Sequence, residues 1–206
     1  VRLVVTRGEG DLGLDPRKCC MATIVIIADS IKLHEGEAKT KGITTLVSWV
    51  RRDPVDGTSH EIKSLNYLNS VLAKLEANLS GADEAICLDK NGCVAEGVGE
   101  NIFLVKNSEI STPPTSTGAL EGITAKTVVE LAKKLDCTVK VENITPFMLF
   151  NADEVFFTGT AAEIVPIRQV NWRHIGVGNR GPITKKLMEE FQKLVHDPKQ
   201  GVPVYS

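Results

Sequence analysis

No run of apolar residues in this 206-residue sequence approaches the ~18–20 that a helix needs to cross a bilayer, and no signal-peptide pattern is present. Charge of one sign is lacking too: 24 Lys+Arg stand against 26 Asp+Glu, a net charge of −2. Nucleic acids and anionic membranes are bound through a basic excess, so neither partner is expected. Metal-ligand and redox spacing is also missing. The five cysteines (Cys19, Cys20, Cys87, Cys93 and Cys137) are odd in number and irregularly spaced, with Cys19 and Cys20 adjacent rather than two residues apart. They read as reduced thiols of a cytoplasmic protein. His34, His60, His174 and His196 are scattered without ligand spacing, so no metal site is expected. What remains is 42% hydrophobic and 24% charged, too apolar for a disordered chain. One or two domains of this size can bury roughly 70% of their unfolded surface without covalent staples.

The periodicity alternates between two and 3.6. Arg2–Arg7 and Thr23–Asp29 are β-branched runs that read as strands, and Ile43–Val50 as another, with residues 30–41 a polar, glycine-containing linker. Leu65, Leu68, Leu72, Leu75 and Leu79 form one stripe of an amphipathic helix ending at Gly81. Hairpins are expected over 89–92 and over Asn107-Ser108. Helices follow over 124–135, from a capped Thr145-Pro146, and along Ile183, Leu187, Phe191 and Leu194. A strand over 154–158 leads into Gly159-Thr160-Ala161-Ala162. This mixture is α/β or α+β, and the hairpins argue against an all-parallel sheet.

Two glycine patterns imitate a dinucleotide fingerprint. Gly8-Glu9-Gly10-Asp11-Leu12-Gly13 follows a strand, but its last glycine opens no helix, because Asp15-Pro16 breaks the short stretch behind it. Gly176-Val177-Gly178-Asn179-Arg180-Gly181 precedes a helix with no strand after it, leaving at most a surface anion site.

Four segments carry the chemistry: Lys63-Ser64-Leu65-Asn66-Tyr67-Leu68, Glu96-Gly97-Val98-Gly99-Glu100-Asn101, Leu120-Glu121-Gly122-Ile123-Thr124 and Gly159-Thr160-Ala161-Ala162-Glu163. Each alone has a bland explanation as an exposed lysine, a turn acid or punctuation. In this order they resemble the class IV (fold-type IV) aminotransferases that use pyridoxal 5′-phosphate, branched-chain amino acid aminotransferases above all. The resemblance runs over essentially the whole chain. It implies a pseudo-barrel-like large domain over 42–206, an interdomain loop over 29–41, and residues 1–28 as the last strands of a small N-terminal domain.

What the resemblance implies for single residues agrees with the chemistry. Lys63 matches the Schiff-base lysine, whose amine must be neutral part of the time and therefore needs a desolvated, cationic neighbourhood. Glu96 matches the carboxylate that faces the ring nitrogen of the cofactor. Tyr67, off the leucine stripe, matches a phenol bonded to the ring oxygen, and Leu120 an apolar wall against the ring. Ile123 and Thr124, at a predicted helix start, match the phosphate amides, with Thr160 assisting from the other loop. Thr160 and Ala161 correspond to donors for the substrate α-carboxylate. Arg2 aligns with an arginine that helps accept the side-chain carboxylate of glutamate.

The implied reaction moves the amino group of leucine, isoleucine or valine to 2-oxoglutarate, in a homodimer or higher homo-oligomer. Most of the family's small domain has no counterpart before Arg2, so the chain as given is expected to be truncated and weakly active or inactive. D-Amino acid aminotransferase is the competing activity, aminodeoxychorismate lyase a weaker one, and a non-catalytic oligomer-forming remnant the alternative of another class.

Overall fold

In a computed structural model, residues 1–31, 33–34, 36–60 and 62–203 are described. The chain divides into two compact units, Val1–Lys32 and Leu33–Ser206. In the first unit, β1 (Arg2–Thr6) pairs antiparallel with β2 (Thr23–Ile27), Arg2 facing Ile27 and Thr6 facing Thr23. The glycine-rich stretch between them holds one 3-10 turn, Pro16–Lys18, whose N-terminus is capped by the Asp15 carboxylate accepting the Arg17 N–H at 3.0 Å. It is a hairpin connection with no crossover helix, so the dinucleotide imitation ends there.

The second unit runs α1 (Glu37–Lys41), β3 (Ile43–Arg51), α2 (Leu68–Ser80), β4 (Glu84–Leu88), β5 (Val94–Gly97), β6 (Asn101–Lys106) and β7 (Glu109–Thr112). It continues with α3 (Ile123–Lys134), β8 (Val139–Val141), α4 (Pro146–Phe150), β9 (Glu154–Gly159), β10 (Glu163–Val170), β11 (Arg173–His174) and α5 (Pro182–Val195). Its nine-stranded mixed sheet has the order β5-β4-β3-β10-β9-β6-β7-β8, with β11 on β10. β3 lies parallel to both β4 and β10, and β7 parallel to β8. Beyond β8, the Ile144 carbonyl accepts the Val94 N–H of β5 at 2.8 Å, so the two ends of the strand order meet and the sheet curls into a pseudo-barrel.

Strand alternation gives the sheet hydrophobic cores on both faces. Ile102, Leu104, Val155, Phe157, Val165 and Ile167 pack on one face, with Ile86, Val94 and Leu149. Phe103, Val105, Phe156 and Ile164 point the other way, against Val128, Leu131 and Ala132 of α3 and Leu187 and Phe191 of α5. The turns have the expected chemistry. Asn107 and Ser108 both have positive φ (50° and 66°), the backbone of a two-residue hairpin turn. The Thr145 hydroxyl accepts the Met148 N–H at 3.2 Å and caps α4.

Two sequence readings are corrected. The segment 30–41 is not linker throughout: it carries α1, and Ala38 packs on the core. In α2 the leucine stripe does not face the core. Leu68, Leu72, Leu75 and Leu79 are exposed, Leu79 at 81%, while Ser70, Ala73 and Ala77 are buried, the two alanines against Leu46, Val50, Ala85 and Cys87. Small residues let the helix backbone approach the sheet closely, and the leucines are left on the opposite side. Leu65 precedes the helix and is exposed as well.

Candidate active site

The end of β3 and the loop behind it build one wall. β3 delivers Arg51 and Arg52 at its C-terminal edge, and the chain returns through 53–67 to present Lys63 and Tyr67 before α2 begins. Lys63, Ser64, Asn66 and Tyr67 line a small cavity of about 30 Å³ together with Arg52 and Leu120. Tyr67 is 37% exposed, which excludes its reading as a core aromatic. Lys63 is exposed, so the desolvation expected around its amine is not supplied by the side chains present.

Glu96, on β5 opposite Cys87 of β4, forms the floor. It is 4% exposed, and its carboxylate forms an ion pair with Arg52. The other oxygen, Oε2, accepts the Leu120 N–H at 2.9 Å and the Asn101 side-chain amide at 3.3 Å. Burial pushes the Glu96 carboxyl above its usual range, and the Arg52 guanidinium, the Leu120 N–H and the charge of Lys63 pull against that rise. Lys63, Tyr67, Leu120 and Glu96 are thus brought to one place from separate segments of the chain. Gly122 fixes the approach of the 120–122 loop, because a Cβ there would lie 1.9 Å from the Asn101 Oδ1. Asn101 in turn bonds the Leu120 carbonyl at 2.7 Å, tying the loop to Glu96.

Ile123, Thr124 and Thr160 line a neighbouring cavity of about 640 Å³, with Thr127 and Glu163. No side chain caps the N-terminus of α3, and among the described residues the hydroxyl of Thr124, a residue only 7% exposed, has no hydrogen-bond partner. The twelve-residue helix therefore opens onto this cavity with first-turn amides and a hydroxyl unclaimed, the donor set that suits a phosphate. Thr160 and Ala161 are exposed on the turn between β9 and β10. Arg2 lies in the other unit, on β1.

The donor set fits pyridoxal phosphate. An exposed amine stands beside a buried carboxylate, with a phenol and an apolar wall on the same cavity and an uncapped helix start two residues along the chain from Leu120-Glu121. The N-terminus of α5 offers no rival anion site. Glu154 already fills it, its carboxylate accepting the Ile183 N–H at 3.0 Å, the Thr184 N–H at 2.7 Å and the Thr184 hydroxyl at 2.6 Å.

Sequence reasoning misses Arg52, His60 and Asp53 as parts of the site, and names Asn101 only within the 96–101 segment, without a role. In the sequence Asp53 reads as ordinary loop and His60 as a scattered histidine. The usable signal is the Arg51-Arg52 pair at the end of a strand directly before the lysine loop. Also unforeseen is a second buried group: His34, Glu84 and Glu100 have side-chain atoms within 4.8 Å of one another. Lys74 pairs with Glu84 at 3.1 Å and acts as its resident cation, and Glu100 accepts the Gly99 N–H at 3.2 Å.

The Amino-transferase class IV family model matches residues 1–170. The putative branched-chain-amino-acid aminotransferase of Methanocaldococcus jannaschii is 51% identical over 205 residues, covering 100% of this chain and 69% of that relative. The branched-chain-amino-acid aminotransferase of Escherichia coli strain K12 is 38% identical over 193 residues, 93% of this chain and 62% of that one. The crystal structure of the Escherichia coli enzyme superposes with a TM-score of 0.89 at 33% identity, over 99% of this chain and 67% of that chain. The branched-chain amino acid aminotransferase from Thermobaculum terrenum, in its PLP-form, gives 0.74 at 35% identity, over 77% and 53%. The chain thus spans about two thirds of the length of the curated relatives it matches, 62–69% in these two cases. With residues 1–170 matched by the family model and a relative 51% identical over the whole chain, the chain belongs to the class IV aminotransferase family.

Proposed function

We propose that this chain is the cofactor-binding part of a pyridoxal-phosphate-dependent branched-chain amino acid aminotransferase, moving the amino group of leucine, isoleucine or valine to 2-oxoglutarate. The observation that carries the reading is the exposed amine of Lys63 next to the buried Glu96–Arg52 pair, with Leu120 bonded to the same carboxylate. When bound, the cofactor supplies a ring that draws electron density from the α-carbon of the amino acid. Lys63 Nζ would hold the cofactor and, once displaced by the substrate amino group, would accept the α-proton as a neutral amine. Glu96 would compensate a proton on the ring nitrogen, Tyr67 would bond the ring oxygen, and Leu120 would exclude water from the ring face. The amides at 123 and 124, the Thr124 hydroxyl and Thr160 hold the phosphate. Thr160 and Ala161 donate to the substrate α-carboxylate, and Arg2 assists the side-chain carboxylate of glutamate.

Residues 1–28 are read as the last strands of a small domain, 29–41 as the connection and 42–206 as the large domain. In support, β1 and β2 leave Leu3, Val5, Ile24 and Ile26 exposed, as strands do that want further cover. Weak or absent turnover by the 206-residue chain is expected on the same ground. The apolar face of α2, with Leu68, Leu72, Leu75 and Leu79 in water, supports a homo-oligomer. Five free thiols and the lack, among the described residues, of a helix long and apolar enough to cross a membrane are consistent with a cytoplasmic enzyme.

The test is direct. Pyridoxal phosphate added to the purified chain should give a visible band that borohydride removes and that Lys63→Ala lacks. L-Leucine or L-valine, not D-alanine, should then convert the bound cofactor to its amino form, read in a single turnover. A preference for D-alanine would reassign the substrate. A band unchanged in Lys63→Ala would remove the site.

A further inference from the structure

The guanidinium that holds Glu96 is itself held. Arg52 Nε donates to the Gly118 carbonyl at 3.1 Å and Nη1 to the Ser70 hydroxyl at 3.2 Å, while Nη2 serves both Glu96 and, at 3.1 Å, Nδ1 of His60. On the far side of the ring, His60 Nε2 lies 3.1 Å from Asp53 Oδ2. Asp53 is anchored in turn by the Asn69 side-chain amide, which donates to its Oδ1 at 2.5 Å. Gly118 permits this packing, since its φ is +86° and a Cβ there would come 2.8 Å from the Asp53 carbonyl and 3.0 Å from Arg52 Cγ.

The proton positions in this chain of contacts follow from chemistry. A guanidinium only donates, so His60 Nδ1 must accept, and the single ring proton must sit on Nε2 facing Asp53. Burial and the adjacent Arg52 charge push the His60 imidazole below its ordinary range, against the pull of Asp53, so the accepting form holds at neutral pH. The side chains of His60, Arg52 and Glu96 are 11%, 10% and 5% exposed. In such a place an orphaned N–H is costly, and a guanidinium without its second acceptor turns away to find one.

We infer that His60 and Asp53 are positioning residues for Glu96: a fixed acceptor behind Arg52 that aims the guanidinium at the carboxylate facing the ring nitrogen. The inference rests on reading the site as a pyridoxal phosphate site. It assigns a task to two residues that lie outside the four segments of the family resemblance. With the acceptor removed, Arg52 loses its orientation. Glu96, buried and short of its ion partner, then holds a proton over a wider pH range and no longer compensates one on the ring.

The test reads Glu96 itself, in the cofactor-free chain. With glutamate side-chain carboxyls labelled with carbon-13, the Glu96 signal is assigned through Glu96→Gln and its titration followed in parent and variants. His60→Leu should raise the Glu96 midpoint by about one pH unit, a tenfold change in its proton affinity. His60→Gln, whose amide can accept from Arg52 and donate to Asp53, should restore the parental value. Ring-nitrogen shifts of His60 should show a proton on Nε2 alone near pH 7.5. If His60→Leu does not fold, Asp53→Asn serves, with a mixed tautomer and a smaller upward shift expected. An unchanged Glu96 midpoint in the folded leucine variant, or an Nδ1-protonated ring in the parent, would overturn the inference. The pH midpoint of the visible band with added pyridoxal phosphate should move in the leucine variant and return in the glutamine one; a stationary midpoint in both overturns the inference as well. Absence of any band in the parent would instead count against the site reading, and the carboxyl titration would still judge the relay.

Discussion

Glu100→Gln should make the fold more stable at pH 8 and leave it almost unchanged near pH 4.5. Glu100 is 9% exposed, and burial is the main reason its carboxyl is raised from 4.5 to about 7. The nearby Glu84 and Glu96 charges add to the rise, while the Gly99 N–H and Lys74 oppose it. A carboxyl raised on folding binds more protons in the native than in the unfolded state, so stability falls as pH climbs from the unfolded to the folded value. A rise of that size at 1.36 kcal/mol per pH unit corresponds to about 3 kcal/mol, lost between about pH 4.5 and 7. Glutamine keeps the volume and stays neutral, so this loss should vanish. His34 nearby is lowered by burial and works in the opposite direction, since its cost falls as pH rises. Subtracting parent from variant largely removes that contribution. Urea unfolding of both proteins at pH 5, 6, 7 and 8 measures the difference. A stability gap constant within about 0.5 kcal/mol from pH 5 to 8 would show that Glu100 is ionised throughout, and the burial argument would fail.

Arg52→Met should cost about 3–5 kcal/mol in urea unfolding, because it strands the buried Glu96 carboxylate, and adding Glu96→Gln should recover most of the loss. Equal losses in the single and double variants would mean that packing, not charge, is at stake. Gly122→Ala should cost about 1–3 kcal/mol by displacing Asn101 and should reduce pyridoxal phosphate uptake in the visible band more than Gly99→Ala, where a Cβ meets open space. Similar uptake by the two alanine variants would argue that the approach of the 120–122 loop to Asn101 does not shape the site.

Much of the local structure was legible because it depends on neighbours in sequence. Asn107-Ser108 makes its turn, Thr145 caps its helix and β-branched runs form strands through contacts within a few residues. The four segments could be grouped through a resemblance, but nothing in them says that the Leu120 N–H and the Asn101 amide both land on Glu96 Oε2. The Arg52–His60–Asp53 chain was illegible for the same reason. An arginine ending a strand and a histidine in a loop become partners only when the chain between them folds back.

By itself, the sequence determined the alternation of strands and helices, the hairpin turns and the family. These follow from short-range sterics and from residue types that chemistry cannot exchange. Tertiary structure alone decided which face of α2 is buried, since hydrophobicity favours the leucines but close approach to β3 and β4 is open only to Ser70, Ala73 and Ala77. It also decided the electrostatics, because the charge a buried carboxyl carries depends on which distant groups are packed against it, Arg52 for Glu96 and no cation in direct contact for Glu100 among the described residues.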